Sequence, residues 1–368
     1  MKVTIAGGGT GGHLFVGIAV AEAIMACDPF SKVLFIGTKG EMSTSLLQKK
    51  GLYVRHISAG GIKGKGLWRQ AEAMAKLPLG VLQAIVHLLR FRSDVVFGVG
   101  GYSSGPVGIV AYLMGIPVMI HEQNFIPGIT NRLLARFSKK VFVSFPESAS
   151  CFDKTKTEVS GNPVRQELLS RQSLQKGSQP FTVLVVGGSQ GAQRINQVVV
   201  EALDKLKEER DIEFIHQTGT SDFQWVTEAY KKNGRSDKIE PFIHDMAEAY
   251  SSADIILCRA GATTISEICV LGKGAIFVPF PFATDNHQEF NARYLSDKGA
   301  GELILQANLS GDMLAQRILY YKSNRGKLLS MGEEAKKLGK PGAANMIANE
   351  ILQLKARPCS ARSTIYTL

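Results

Sequence analysis

One local pattern occurs twice in this chain, and the two copies lie about 180 residues apart. The apolar run Val3–Ala6 leads into the glycine-rich stretch Gly7–His13 and then into a helical pattern. Val183–Val186 leads in the same way into Gly187–Gln193 and a second helical pattern. Each copy is typical of a buried parallel strand, a tight glycine turn and the N-terminus of a helix.

Each half also contains a second strand that leads into a glycine turn. Asp94–Phe97 precedes Gly100–Gly105, and Asp254–Leu257 precedes Gly261–Thr264. Further strands are predicted at 33–37, 53–57, 117–120 and 140–143, and at 212–216, 238–241, 275–278 and 301–304. Because helical patterns lie between most of them, the predicted fold class is α/β, with two doubly wound Rossmann-like domains facing a deep cleft.

The predicted domains divide the chain near its middle. Residues 1–162 form the first domain and residues 163–354 the second, with the last helix able to pack back on the first. Residues 355–368 show no periodicity, which predicts a flexible tail. With 368 residues the chain is long enough for two separate cores.

The five cysteines suggest a cellular compartment. They include no C-x-x-C pair, and an odd number without a framework is typical of a reduced, cytosolic protein. The chain starts directly with a strand pattern, so no signal peptide is expected.

The net charge of +11 is unevenly placed. Residues 1–160 hold 18 basic and 9 acidic side chains, whereas residues 161–368 hold 25 and 23. The excess in the first half favours a polyanionic partner, either nucleic acid or an anionic membrane surface. The alternative is a basic but otherwise ordinary soluble protein.

The segment 55–92 concentrates this positive charge. It contains one acidic residue, Glu72, and seven basic residues: Arg55, Lys63, Lys65, Arg69, Lys76, Arg90 and Arg92. Its uncharged stretch Leu77–Leu89 is shorter than the about 20 apolar residues that span a bilayer, so it suits lying on an anionic leaflet. The alternative is an ordinary core helix with solvated ends that buries most of the four residues Leu82, Ile85, Val86 and Leu89. Nucleic acid is the weaker partner, because aromatic residues do not alternate with the basic ones.

Glycine turns after parallel strands let backbone amides approach phosphate groups. A dinucleotide redox site needs an acidic residue at the end of the second strand. Here that strand ends in Ile36–Lys39, which contains no acidic residue, so a dinucleotide redox site is disfavoured. The sequence also lacks a D-x-D pair, which metal-dependent sugar-nucleotide enzymes often use to hold a divalent ion. Charge on a departing nucleotide is then expected to be met by backbone amides, a helix dipole and an arginine, without metal or cofactor.

With these motifs in order, the sequence resembles the MurG family of bacterial peptidoglycan glycosyltransferases, which convert lipid I to lipid II. Seven motifs carry the resemblance: Gly8–His13, Gly100–Pro106, His121–Asn124, Gly161–Arg165, Gly187–Ala192, Arg259–Ala262 together with Ser266–Glu267, and Asp285–Gln288. The resemblance implies the GT-B fold and an inverting hexosyltransferase that moves N-acetylglucosamine (GlcNAc) from UDP-GlcNAc. The implied acceptor is the 4-hydroxyl of N-acetylmuramic acid (MurNAc) in undecaprenyl-diphosphate-MurNAc-pentapeptide, which is lipid I.

The same resemblance implies a place in the cell. The enzyme would be peripheral, on the cytoplasmic face of the inner membrane, where it contacts the anionic leaflet. Its product serves peptidoglycan synthesis, and through it cell shape and cell division.

The resemblance assigns the donor to the second domain. Glu267 would hold the ribose hydroxyls, Ser189 with its neighbouring amides the diphosphate, and the Ile243 backbone the uracil. Arg165 would lie near the nucleotide, and Gln288 would bond sugar hydroxyls, assisted by Asn291 one helical turn further on. Five residues beside Glu267 would line the site: Ala262, Thr263, Thr264, Ile265 and Ser266. For Glu267, the alternative is an acidic residue that only stabilises a helix N-terminus.

On the first domain, the family pattern places Thr10, Gly11, Gly12 and Asn124 beside the transferred sugar and the acceptor diphosphate. His13 is the candidate general base, since an imidazole titrates near neutral pH and inverting transfer needs a proton acceptor. Two alternatives stay open for it: positioning of phosphate or acceptor, and a purely structural role.

Other functions are compatible with the same architecture. One is a transferase of this fold with another acceptor, and another is a UDP-GlcNAc 2-epimerase, which should carry carboxylates beyond Glu122 and Glu267. A third, from a different class, is a non-catalytic nucleotide-binding or membrane-scaffolding protein. His13 and the complete sugar-binding set argue against it.

Overall fold

A computed structural model describes residues 1–8, 11–38, 44–60, 67–170, 180–188 and 191–356. It divides into two compact units. Unit 1 comprises Met1–Glu122, Pro127–Ser160 and Gly342–Leu368, and unit 2 comprises Gln123–Ile126 and Gly161–Pro341. Each unit has its own sheet and its own buried apolar clusters.

The strands of the described residues are short and mostly apolar. In chain order they are β1 (Lys2–Ala6), β2 (Lys32–Gly37), β3 (Tyr53–His56), β4 (Val95–Gly98), β5 (Val118–Glu122), β6 (Lys140–Val143), β7 (Thr157–Val159), β8 (Phe181–Val186), β9 (Ile212–Gln217), β10 (Lys238–Glu240), β11 (Ile255–Cys258), β12 (Gly274–Phe277) and β13 (Glu302–Leu303). The central ones, such as β4, β8 and β11, are buried along their whole length, as expected for strands covered by helices on both faces.

Helices connect these strands. In chain order they are α1 (Gly11–Cys27), α2 (Thr44–Lys49), α3 (Leu67–Phe91), α4 (Ser104–Leu113), α5 (Ile129–Leu134), α6 (Gln166–Ser170), α7 (Gln193–Lys205), α8 (Phe223–Lys232), α9 (Met246–Ser252), α10 (Ala262–Leu271), α11 (His287–Ser296), α12 (Gly311–Ser323), α13 (Arg325–Leu338) and α14 (Ala343–Ala356). Three-residue or six-residue 3-10 helices occur at Pro146–Cys151, Thr284–Asn286 and Gln306–Asn308.

Both sheets are parallel and share one topology. In unit 1 the strand order is β3-β2-β1-β4-β5-β6-β7, and in unit 2 it is β10-β9-β8-β11-β12-β13. The chain therefore starts each sheet in the middle, builds to one edge, and returns to build the other side. This doubly wound order confirms the predicted α/β fold class, and it gives each unit one point where the strand order reverses.

The final helix belongs to unit 1. Ala344, Ile347, Ala348 and Ile351 of α14 are buried in the same cluster as the β1 and α1 side chains. The helix continues to Ala356, so residues 355 and 356 are helical where the sequence predicted the start of a tail. Residues 357–368 of that predicted tail lie outside the described residues.

The units differ from the predicted domains in one further respect. The division falls between Ser160 and Gly161, close to the predicted link, but the short segment Gln123–Ile126 groups with unit 2. In the sequence this segment lies between two ranges of unit 1, and it was predicted to belong to the first domain. The reason is that hydrogen bonds and ring contacts join this segment to α11.

Candidate active site

The strand order of unit 2 reverses between β8 and β11. In sheets of this kind, ligands bind beyond the carboxyl ends of the strands at the reversal. Helices α7 and α10 begin at this edge, with Ala192 and Gly261 as their N-cap residues. The backbone amides of their first turns and their helix dipoles make this edge of unit 2 suitable for a diphosphate.

Glu267 lies near this edge, in the second turn of α10, and is 3% exposed. Arg165 donates to its Oε1 from both Nε, at 3.0 Å, and Nη2, at 2.8 Å. The hydroxyl of Tyr250 donates to its Oε2 at 3.0 Å. The side chains of Arg165 and Tyr250 therefore hold both oxygens of this carboxylate.

Arg165 and Tyr250 keep their protonation states near neutral pH. Burial lowers the pKa of the Arg165 guanidinium, but the adjacent Glu267 carboxylate and Tyr250 outweigh that effect and leave it above its usual value. Burial, and then the charge of Glu267, raise the pKa of Tyr250 well above its usual range. Arg165 therefore stays charged and Tyr250 stays a donor, so the carboxylate has two lasting partners.

The predicted uracil-reading residue, Ile243, is buried, and its backbone is held by a side chain that sequence reasoning missed. The Ile243 N–H donates to Oε1 of Gln217 at 3.0 Å, and Gln217 Nε2 donates to the carbonyl oxygen of Gly188 at 2.9 Å. Gly188 lies in the glycine turn after β8. Because β9 also contains Glu213 and His216, a polar residue at its end gave no distinct signal in the sequence.

Gln288, the predicted sugar-binding residue, is half-buried in the first turn of α11. Its Oε1 accepts from the backbone N–H of Phe280 at 2.9 Å. Arg259 supports the same loop, because its Nη1 donates to the carbonyl oxygens of Val278 and Pro279, both at 3.1 Å. Burial lowers the pKa of Arg259 to about 10, so it remains a cation at neutral pH.

The five residues predicted to line the donor site form the start of α10. Ala262, Thr263 and Ile265 are buried, while Thr264 and Ser266 are half-buried. The Ser266 hydroxyl donates to the carbonyl oxygen of Ala262 at 2.9 Å, within the helix. The structure therefore places these residues in the first two turns of α10, directly before Glu267.

Asn124, predicted on the acceptor side, belongs to the segment that groups with unit 2. The side-chain amide of Asn291 donates to Asn124 Oδ1 at 3.3 Å and to the carbonyl oxygen of Ala260 at 3.2 Å. Asn291 Oδ1 accepts from the Phe125 N–H at 2.9 Å, and the Phe125 ring stacks on Phe290. The fully buried Asn291 thus fixes the backbone and side chain of this segment.

In unit 1 the strand order reverses between β1 and β4, and the two glycine turns that follow these strands meet there. Gly101 has a φ of 83°, and a Cβ at this residue would lie 2.1 Å from the Gly8 carbonyl oxygen. The Ser104 hydroxyl donates to the carbonyl oxygens of Ala6 and Gly100. Only glycine permits this close approach, so the turns form one surface.

The predicted general base, His13, is the third residue of α1 and is half-buried, as is Gly12. Gly11 begins the same helix. Thr10 and Ser189, predicted to bind acceptor and donor phosphates, lie outside the described residues. In the part of the chain that the structure describes, no group of three or more histidine, cysteine, aspartate or glutamate side chains is arranged to hold a metal ion.

Helix α3 carries an exposed apolar face. The exposed side chains are Leu77, Leu79, Leu82, Val86 and Leu89, with Leu82 at 60% and Leu89 at 59%. Ala84 and Leu88 of the same helix are buried in the core, and Ile85 packs against it. The alternative interpretation that buried Leu82, Val86 and Leu89 is therefore wrong for these residues. Among the described residues, no helix is both long enough and apolar enough to cross a membrane.

Two doubly wound sheets with glycine turns at both reversals, and a held carboxylate near the helix N-termini at one of them, define the GT-B architecture. Residues 3–143 match the glycosyltransferase family 28 N-terminal domain, and residues 182–347 match the family 28 C-terminal domain. The chain belongs to glycosyltransferase family 28. The predictions of a GT-B hexosyltransferase and of its family are thereby confirmed.

Individual relatives agree over nearly the full length. The chain is 45% identical to the UDP-N-acetylglucosamine–N-acetylmuramyl-(pentapeptide) pyrophosphoryl-undecaprenol N-acetylglucosamine transferase of Geobacter sulfurreducens, over 96% of this chain and 98% of that protein. It is 43% identical to the protein of the same name from Myxococcus xanthus, with 96% and 93% covered.

Solved structures show the same fold. The crystal structure of Acinetobacter baumannii MurG has a TM-score of 0.75 and 32% identity, with 96% of this chain and 99% of that chain covered. The UDP-GlcNAc 2-epimerase from Neisseria meningitidis, bound to UDP-GlcNAc, has a TM-score of 0.66 and 15% identity, with 96% and 100% covered. The second likeness concerns the fold alone.

Proposed function

We propose that this chain transfers GlcNAc from UDP-GlcNAc to lipid I, forming lipid II for peptidoglycan synthesis. The observation that carries the proposal is the 45% identity over nearly the whole chain to a transferase with that name. In this reaction, the 4-hydroxyl of MurNAc attacks the anomeric carbon of GlcNAc from the face opposite UDP. The configuration at that carbon is then inverted.

The donor is proposed to bind unit 2 at the strand reversal. Glu267 is held in place by Arg165 and Tyr250, and its carboxylate is suited to accept from two ribose hydroxyls. The Ile243 backbone recognises uracil, the start of α10 lines the nucleotide, and Gln288 bonds sugar hydroxyls. Ser189 and the amides at the start of α7 bind the diphosphate.

The charge that develops on departing UDP is proposed to be met by protein groups. The N-termini of α7 and α10 contribute amide donors and positive dipole ends, and Arg165 contributes a lasting cation near the nucleotide. The sequence contains no D-x-D pair that would hold a divalent ion on the diphosphate. Activity is therefore expected to survive chelation of divalent metal.

The acceptor is proposed to bind unit 1 at the paired glycine turns. Gly11 and Gly12 at the start of α1, together with Thr10, border the acceptor diphosphate, and Asn124 borders the transferred sugar. His13 takes the proton from the attacking hydroxyl as general base. Its place in the first turn of α1, directly after the glycine stretch, supports this role, with positioning of phosphate as the alternative.

The membrane contact is proposed to use the exposed face of α3. Leu79, Leu82, Val86 and Leu89 follow helical spacing, and Lys76, Arg90 and Arg92 lie exposed at the ends of this face. Apolar side chains ringed by cations suit the surface of an anionic leaflet. We therefore place the enzyme peripherally, at the cytoplasmic face of the inner membrane, with no role for nucleic acid.

One assay tests the activity. Purified protein receives UDP-GlcNAc with and without a lipid I analogue that has a short, water-soluble lipid chain. We expect UDP release only with the analogue, together with a disaccharide product whose GlcNAc has the β configuration by NMR. Formation of UDP or of a new sugar nucleotide without acceptor would contradict the transferase and support an epimerase.

A further inference from the structure

The end of strand β9 lies between two functional segments of unit 2. β9 pairs with β8 on one side and with β10 on the other, and Gln217 is opposite both Val186 and Glu240. The glycine turn follows β8, and the segment that leads to Ile243 follows β10. A side chain at this position can therefore reach both segments at once.

The side-chain amide of Gln217 bonds to both of these segments. Its Oε1 accepts from the Ile243 N–H at 3.0 Å, and its Nε2 donates to the Gly188 carbonyl oxygen at 2.9 Å. Because a backbone N–H can only donate and a carbonyl oxygen can only accept, the two partners fix the orientation of the amide. No other neutral side chain of this length offers an acceptor and a donor in this geometry.

The neighbours of Gln217 hold it rigidly. His216 is fully buried, with its ring nitrogens 3.2 Å from the Tyr230 hydroxyl and 3.0 Å from Asn196 Oδ1. Asn196, on α7, donates to the Thr218 carbonyl oxygen at 2.9 Å. The strand end is thereby fastened to α7, and Gln217, 3% exposed, has little freedom to leave its two partners.

We propose that Gln217 is a positioning residue that couples recognition of the uracil base to binding of the diphosphate. It holds the Ile243 backbone and the Gly188 turn in a fixed relation, although it does not itself contact the donor. The inference rests on the proposed function, in which Ile243 recognises uracil and the turn after β8 binds the diphosphate. One hydrogen bond of Gln217 serves each task.

The experiment measures two ratios by calorimetry on the full chain. The base preference is the Kd for CDP divided by the Kd for UDP, and the diphosphate contribution is the Kd for uridine divided by the Kd for UDP. Gln217→Met keeps the length of the side chain and removes both bonds. We expect both ratios to fall roughly tenfold, the size of one lost hydrogen bond each.

A second variant separates the two bonds. Gln217→Glu retains an oxygen for the Ile243 N–H but places a carboxylate oxygen against the Gly188 carbonyl oxygen. We expect it to keep the base preference and to lose the diphosphate contribution. If Gln217→Met fails to fold, the base preference and the diphosphate contribution of Gln217→Glu test the proposal by themselves. Gln224→Met, at an exposed position of α8, is the matched control and should leave both ratios unchanged.

The outcomes distinguish the role of Gln217 from the function on which it rests. Unchanged ratios in a folded Gln217→Met protein, or a fall in only one of them, would overturn the coupling. So would loss of base preference in Gln217→Glu. A wild-type protein that binds CDP as well as UDP would instead contradict the proposed donor, and with it the inference.

Discussion

Arg165 and Glu267 are 102 residues apart in the sequence and form a two-bond ion pair at one carboxylate oxygen. Unit 2 contains a second arrangement of the same chemistry. Arg317 donates to Glu302 Oε2 from Nε at 3.0 Å and Nη2 at 2.7 Å, and the Tyr321 hydroxyl donates to the same oxygen at 2.7 Å. Only the first triad lies beside the strand reversal. The second is therefore an internal control for the first.

Glu267→Gln should weaken binding of UDP. The neutral amide makes weaker bonds to ribose hydroxyls, and charge-assisted bonds are worth about 1.5–3 kcal/mol each. The variant also leaves Arg165 without its partner charge, so the melting temperature should fall as well. Calorimetry with UDP and a thermal melt measure the two effects separately.

The matched variant is Glu302→Gln. It removes the same charge from an arginine–tyrosine pair, so it should lower the melting temperature but leave the UDP affinity unchanged. Equal loss of UDP affinity in both variants would show that the effect of Glu267 is only structural. Unchanged affinity in Glu267→Gln would refute its role at the ribose.

Acid should destabilise the protein through His216. Burial lowers the pKa of this histidine from 6.5 to about 3 in the folded protein. Between these values the unfolded chain binds a proton that the folded protein does not, so stability is lost as the pH falls below about 6.5. The loss amounts to about 1.4 kcal/mol for each pH unit.

Urea unfolding between pH 7 and pH 4.5 measures this dependence. His216→Gln can still bond Tyr230 and Asn196 but does not titrate, so its free energy of unfolding should fall less steeply with acid. An identical slope in both proteins would show that His216 is protonated in the folded state or that other groups determine the acid response.

Much of the fold was predictable because buried parallel strands are short apolar runs. Among the residues that the structure describes, twelve strands coincide with predicted ones within a few residues, but β7 (Thr157–Val159) was missed. It has three residues, two of them polar, and it forms the edge of its sheet, so it carries no apolar run. The grouping of Gln123–Ile126 with unit 2 was also missed, because it depends on the bonds of one side chain, Asn291.

The candidate site was predictable residue by residue but not as a set of contacts. Glu267 and Arg165 were each chosen from a motif, and no sequence pattern shows that they pair across 102 residues. Tyr250 and Gln217 carry no motif of their own. Each supports a site residue through one or two hydrogen bonds, which only the tertiary structure brings together.

Membrane binding should depend on the exposed leucines of α3. Leu82→Ser and Leu89→Ser together remove apolar area that would enter the leaflet, and a buried leucine contributes about 1.5–3 kcal/mol. Vesicle co-sedimentation with anionic lipid should show a clear loss of binding. Adding Lys76→Glu and Arg90→Glu should weaken binding further, by about 1 kcal/mol for each basic residue lost.

Leu329→Ser is the control for this loss. Leu329 lies on α13 in unit 2 and is 69% exposed, so the change is equal in chemistry but falls in the other unit of the chain. Its vesicle binding should match the wild type. All these variants should retain activity on a short, soluble acceptor. Wild-type binding by the α3 double variant would show that its apolar face does not contact the membrane.

His13→Ala tests the general base. If the imidazole takes the proton from the attacking hydroxyl, the variant should lose kcat by roughly 10²–10⁴-fold. Donor affinity should stay nearly unchanged, since the proposed UDP contacts belong to unit 2. The wild-type rate should fall in acid as the imidazole takes up a proton, and this acid limb should disappear in the variant.

The alternative role for His13 gives a different kinetic pattern. If His13 only positions the acceptor phosphate, His13→Ala should raise the KM for the acceptor. The kcat at saturating acceptor and the pH profile should then stay as in the wild type. His13→Gln sharpens the comparison, because an amide can still donate a hydrogen bond to phosphate but cannot accept a proton at neutral pH. Rescue of activity by glutamine, with the acid limb intact, would refute the general base and establish positioning. If His13 is the base, both variants should lose kcat, while the KM for the acceptor and the UDP affinity stay unchanged.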